Sequence, residues 1–142
     1  MCTRCGSVAY ENAKPCAGAL VVRDQRVLLV RRGVAPYRGW WDIPGGYLEA
    51  DEHPEAGARR ELREETGLRV RLGRLLGVYL DRHVRPTTLN FYYLAAVIGG
   101  RERPADDAMA LGWFAADEVP RRIAYPGHAR RVLADWRRAS RL

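Results

Sequence analysis

The 142 residues are enough for one domain and leave little room for two. With 47% apolar and 9% aromatic residues, the composition is that of a chain that folds around its own core, which excludes extensive disorder and makes disulfide staples unnecessary. A net charge of +7 favours anionic partners (nucleotides, nucleic acid or phosphorylated metabolites) without choosing among them.

Residues 1–16 differ from the rest of the chain: they hold Cys2 and Cys5, few apolar side chains, and Pro15 just before the first strand. They are read as an N-terminal appendage to a domain of residues 17–142. The first residues lack the apolar stretch of a signal peptide, and the longest apolar runs, 17–22 and 27–30, are far short of the ~20 residues that cross a bilayer. A cytoplasmic protein with no membrane partner is expected. In that setting Cys2-x-x-Cys5 points to metal or redox chemistry rather than a structural disulfide.

Residues 17–23 and 26–32 are β-rich runs, and Asp24-Gln25 between them suits a hairpin. Residues 34–47, with Pro36, Gly39, Pro44, Gly45 and Gly46, read as loop around a short strand at 40–43. The pattern then becomes helical over 54–66. Pro54 is acceptable at the first helical position, and Gly67 is placed to end the helix. Residues 70–81 and 89–97 read as longer strands and Trp113-Phe114 as a short one. A closing helix over 128–138 carries Val132, Leu133 and Trp136 on one face. A mixed sheet flanked by helices, an α/β architecture, is the simplest packing of these elements.

Charge is unevenly distributed. Residues 49–65 hold seven of the 17 acidic residues and three cations, while the remainder carries 21 cations against ten anions. On a helix, Glu61, Glu64 and Glu65 project from one face at i, i+3 and i+4, where they repel one another. An acidic helix is usually a solvated face, softened here by Arg60 and Arg63. However, Gly45-Gly46 just upstream lets backbone approach a ligand, and Glu52 adds a further carboxylate. A hard divalent cation, Mg²⁺ or Mn²⁺, would turn the repulsion into binding.

The residues Gly46-x5-Glu52-x7-Arg60-Glu61-Leu62-x-Glu64-Glu65-x-Gly67-Leu68 satisfy every fixed position of the signature Gx5Ex7REUxEExGU, with U a bulky aliphatic. The chain therefore resembles the Nudix hydrolases. Residues 17–32 resemble that family's leading hairpin, Trp41-Asp42-Ile43-Pro44-Gly45-Gly46 its approach to the signature, and Trp113-Phe114 with Asp117-Glu118-Val119 its late strand and turn.

The resemblance implies a mixed sheet between helices and a metal-dependent hydrolase. Such an enzyme cleaves nucleoside diphosphates linked to a further group by water attack on a pyrophosphate phosphorus. It implies Glu61, Glu64 and Glu65 as metal ligands, the Gly45 carbonyl as a further ligand, Glu52 binding or tuning a metal, and Arg60 orienting the carboxylates. The water's proton would go to Glu61 or to a loop acid, Asp106 or Asp107, with Asp107 preferred by spacing.

Trp40, Trp41, Tyr79, Phe91, Tyr92 and Tyr93 could stack a base, although strand alternation sends about half of them into the core. His53, His83 and His128 read as surface or capping residues. Cys2-x-x-Cys5-Gly6, Tyr10 and Asn12-Ala13-Lys14-Pro15 resemble the second half of the zinc ribbon that precedes some Nudix domains. An intact Zn²⁺ site at Cys2 and Cys5 is not expected, because a structural zinc needs four ligands. The expected partner is a small nucleotide, ADP-ribose or a nucleotide sugar first. Nucleoside triphosphate pyrophosphohydrolysis and a non-catalytic nucleotide-sensing module are the alternatives. Nucleic acid is not expected, since no motif for it is present, and homodimerisation is left open.

Overall fold

Residues 17–21 of the first strand are all buried, as expected of a strand covered on both faces. The protein is represented by a computed structural model that describes residues 3–8 and 10–140. β1 (Lys14–Arg23) turns into β2 (Arg26–Arg32) through Asp24 and Gln25, both at positive φ (52° and 63°), the conformation whose twist matches a two-residue hairpin. The chain continues through β3 (Trp41–Asp42), β4 (Gly45–Tyr47), α1 (Pro54–Thr66), β5 (Leu68–Asp81), β6 (Thr88–Gly100), β7 (Ala108–Ala115) and α2 (Pro126–Ala139).

β1 lies parallel to β6, from Lys14↔Thr88 to Val21↔Ala95, and every other pairing between strands is antiparallel. The sheet is therefore mixed, in the order β3-β2-β1-β6-β5, with β7 along the whole of β2 and β4 on β1. β1 meets β4 at Cys16↔Tyr47 to Gly18↔Gly45, and meets β2 only at its end, Val22↔Val27 and Arg23↔Arg26.

Successive side chains of β1 go to opposite faces. On one face Leu20, with Val27, Leu29 and Tyr92, packs on Ala129, Val132, Leu133 and Trp136 of α2. On the other, Ala19, Val21 and Leu28 pack on Leu62 of α1, and Ala17 and Tyr93 on Ala58. Each fully buried leucine here contributes about 2 kcal/mol. α1 is capped at both ends: the His53 side chain accepts from Glu55 N (3.1 Å), and the left-handed Gly67 donates its N–H to Arg63 O (2.9 Å).

Three elements depart from the sequence reading. β1 begins at Lys14, so residues 14–16 of the segment read as an appendage lie in the sheet. Exposed Lys14 and Pro15 give no apolar signal, and the strand persists there on main-chain bonding to β6. Residues 45–47, expected as loop, form β4 against β1. The strand expected only at Trp113-Phe114 runs from Ala108 to Ala115, because it pairs along the whole of β2 despite an irregular apolar pattern.

One histidine assignment is also corrected. His128 is buried rather than superficial, with Nδ1 2.7 Å from Asp81 Oδ2 and Nε2 3.3 Å from Tyr92 Oη. Among the described residues no helix is long and apolar enough to cross a membrane.

Candidate active site

Arg60 sits at the centre of the acidic segment. Its Nε and Nη2 donate to Glu52 Oε2 (2.7 Å) and Oε1 (2.8 Å). Nη1 donates to Glu61 Oε1 (3.0 Å) and Glu64 Oε2 (3.1 Å), and Nη2 also reaches Tyr47 O (3.1 Å). One planar guanidinium thus ties the approach to α1, β4 and the helix together, a task its fixed fork of donors suits and a lysine ammonium does not. These hydrogen bonds hold the Glu52 carboxyl down at about 2, so it stays ionised.

β4 passes directly over Glu61. A Cβ on Gly46 would stand 2.7 Å from Glu61 Oε1, so any larger residue would displace the Glu61 carboxylate from its place beside Arg60. Next to it, Gly45 N donates to Glu65 Oε2 (3.1 Å). Glu61 and Glu65 open onto a cleft of about 140 Å³ that they share with Arg32, Asp42, Asp106 and Asp107.

Asp106 and Asp107 arrive on the β6–β7 connection, which is lashed to the end of α1. Arg103 N donates to Thr66 O (2.9 Å) and Ala105 N to Glu65 O (3.1 Å), while Gly33 N donates to Asp107 O (2.7 Å). The structure therefore brings Glu61, Glu65, Asp106 and Asp107 to one cavity. Glu52 and Glu64 do not line it: they face Arg60, and the Glu64 side chain is 45% exposed.

Burial sets the electrostatics of the cleft. It pushes the Asp42 carboxyl up to about 7, although the Arg32 guanidinium 3.6 Å away opposes the shift. Glu65 is pushed well above the usual carboxylate range by burial first and then by the charges of Asp42 and Glu61. Glu61 is raised by burial against the pull of Arg60. Carboxylates this crowded, short of counter-charge, are the hard-oxygen donor set of a Mg²⁺ or Mn²⁺ site.

The donor chemistry fits. In arrangement, among the described residues no three acidic, histidine or cysteine side chains converge on one point. Arg60 holds Glu61 Oε1 and Glu64 Oε2, so Glu64 would meet a cation through its other carboxylate oxygen or by turning away from Arg60. Glu61 and Glu65 already face the cleft.

Cys2 lies outside the described residues. Exposed Cys5 has Sγ 2.9 Å from Ser7 Oγ, and the Cys16 thiol on β1 is pushed up to about 11 by burial, with Glu61 adding to the shift. No zinc site forms among the described residues.

Among the aromatic candidates, Tyr79, Tyr92 and Tyr93 are buried in the cores, and Trp41 packs edge-on against Phe114 (4.9 Å). Sequence reasoning did not single out Arg32, or Asp42 as an individual group. The only signal was their place: Arg32 ends β2, and Asp42 stands in the Trp41-Asp42-Ile43-Pro44 approach, two strands that pair at Val30↔Asp42.

Residues 13–136 match the family model described as NUDIX domain. A MutT-like protein of Streptomyces ambofaciens is 40% identical over 108 residues, which are 76% of this chain and 67% of the relative. The ADP-ribose pyrophosphatase of Methanocaldococcus jannaschii is 35% identical over 114 residues, 79% of this chain and 68% of that protein. The crystal structure of a MutT NUDIX hydrolase from Burkholderia pseudomallei superposes with a TM-score of 0.76 at 34% identity, over 88% of this chain and 98% of that one.

Proposed function

The chain belongs to the Nudix family and is a Nudix hydrolase; from that premise we propose that it cleaves, with Mg²⁺ or Mn²⁺, the pyrophosphate of a nucleoside diphosphate linked to a further group, of the ADP-ribose or nucleotide-sugar kind. The observation that carries this reading is the cleft where Glu61 and Glu65 lie with Asp107 and Arg32. Diphosphate hydrolysis needs anionic donors for a cation, positive charge for the phosphates and an acceptor for the water's proton in one place. The 35% identity to an ADP-ribose pyrophosphatase favours ADP-ribose within that class.

A bound divalent cation supplies positive charge against the diphosphate oxygens and lowers the pKa of an attacking water. Glu61, Glu64 and Glu65 would hold it, with the Gly45 carbonyl as a further oxygen and Glu52 acting through Arg60. Arg60 keeps the like charges apart and fixes their orientation. Asp107 takes the proton from water, with Glu61 as the alternative acceptor, and Arg32 faces the phosphate. No covalent nucleophile is required.

The test is chromatography of the products from ADP-ribose, NADH, nucleotide sugars, dinucleoside polyphosphates and triphosphates, with a Glu64→Gln variant beside the wild type. Glu64→Gln should lose ~100-fold or more in kcat/KM, as expected for a metal ligand. Its unfolding midpoint should be unchanged, because the side chain is largely exposed. Near-wild-type turnover would overturn the metal assignment.

A further inference from the structure

Two tyrosines hold backbone conformations that bulky residues normally avoid. Tyr37, between β2 and β3, has φ 61°, and Tyr125, immediately before α2, has φ 53°. The other non-glycine residues at positive φ among those described are Asp24 and Gln25, explained by the hairpin turn, and Asp106, of a residue type that tolerates the region. No turn of that kind accounts for the tyrosines, and Tyr125 makes no side-chain capping bond to the helix it precedes.

Their rings nevertheless meet edge to face, with centroids 5.0 Å apart. Trp41 N donates to Arg122 O (2.9 Å) and Ala124 N donates to Trp41 O (2.7 Å), which brings the two connections together. With His83 and Val84 from the β5–β6 connection, they wall a pocket of about 370 Å³. Its floor is fixed from below. The wholly buried Asp81 accepts from His83 N (2.8 Å) and pairs with His128, whose ring stacks on Tyr125 at 6.2 Å.

This pocket and the carboxylate cleft have no lining residue in common, and Arg32 bridges them through its contact with Tyr125. Arg32 lines the cleft, donates through Nε to Pro36 O (2.7 Å), and carries its guanidinium carbon 5.3 Å from the centre of the Tyr125 ring.

We propose that Tyr37 and Tyr125 wall the subsite for the nucleobase of the substrate, with Arg32 at the junction against the adjoining phosphate. The proposal rests on the nucleoside diphosphate reading above. Strained residues persist where the surrounding structure over-determines them, and such places cluster at ligand sites. Amphipathic rings suit a flat heterocycle, because stacking is available to every base. The arrangement assigns the nucleoside half of the substrate to the Tyr37 side of the cleft and leaves the further group to the open side.

The test compares binding of AMP, GMP, CMP and UMP with that of ribose 5-phosphate to the full chain by calorimetry with Mg²⁺ present. At least one nucleotide should bind the wild type about tenfold or more tightly than ribose 5-phosphate, the scale of one base–aromatic stack. Tyr37→Gly should erase that preference while its unfolding midpoint holds or rises, since glycine adopts the left-handed conformation without strain. Tyr37→Leu, which keeps bulk and strain but removes the ring, should erase it too and serves if the glycine variant does not fold.

Nucleotides that bind no tighter than ribose 5-phosphate, or a preference that survives in both variants, would overturn the subsite. Hydrolysis of ADP-ribose separates the two readings. Turnover without a base preference removes the subsite and leaves the reaction. A base preference without hydrolysis of any nucleoside diphosphate removes the reaction and leaves the subsite.

Discussion

Asp42 is paired with Arg32, and yet loss of water pushes its carboxyl up to about 7. Between the unfolded value near 3.8 and that level, the folded chain holds a proton that the unfolded chain releases. Stability from this group is therefore fully present at low pH and is lost as pH rises toward 7, by up to about 1.4 kcal/mol per unit. In a chelator, the unfolding midpoint of the wild type should fall across that window. Asp42→Asn should make the profile shallower, with the raised Glu61 and Glu65 carboxyls supplying the slope that remains, and thermal melts against pH check both. A flat wild-type profile would mean that Arg32 keeps the carboxylate ionised. Such residues are hidden from sequence for a physical reason. Glu61 and Glu65 were legible because helical spacing and a fixed signature put them together. Asp42, Arg32 and the Asp81–His128 pair acquire their character from burial and from partners as far as 47 positions away.

Among the elements, α1 was readable to the residue, since Pro54 and Gly67 punctuate it and its period is strong. β4 was not: two glycines and a tyrosine carry a loop's composition, and only the neighbour they lie against makes them a strand. The β6–β7 connection is where an element-scale effect on catalysis is expected. Glu102 accepts from Trp113 Nε1 (2.9 Å) and pairs with Arg23 (3.6 Å), on the same connection that carries Asp107 to the cleft. The ion pair is exposed, so Glu102→Ala should change stability by less than about 1 kcal/mol. By loosening the placement of Asp107 it should lower kcat roughly tenfold with KM little changed, given how steeply rate depends on sub-ångström positioning. Steady-state kinetics beside a melting curve checks this.

At the scale of the molecule, the sandwich followed from counting elements and their apolar faces, whereas the strand order did not. Long-range pairing such as β1 with β6 leaves no local trace. The two helices cover opposite faces, and this predicts separable consequences of core truncation. Trp136→Ala, in the α2 core, should lower stability by about 3–5 kcal/mol and leave turnover of the folded fraction near wild type. Leu62→Ala, beside Glu61 in the α1 core, should cost about 2–5 kcal/mol and also depress kcat. Denaturant titration with assays at low temperature distinguishes them.

β1 has β4 on one flank over residues 16–18 and β2 only from Val22 onward. Between them the sheet forks, and the Ala19 N–H reaches back to Pro44 O (3.2 Å) across the crotch. The cleft is what that fork leaves open: one prong, β4, presents Gly45 to Glu65, and the other, β2, ends in Arg32. Gly18 sits at the branch point, where any side chain would collide with the Pro44 carbonyl. The opening is thus set by main-chain divergence, which is stiffer than any side chain that lines it. The walls can change chemistry through their residues while the gap between them stays fixed.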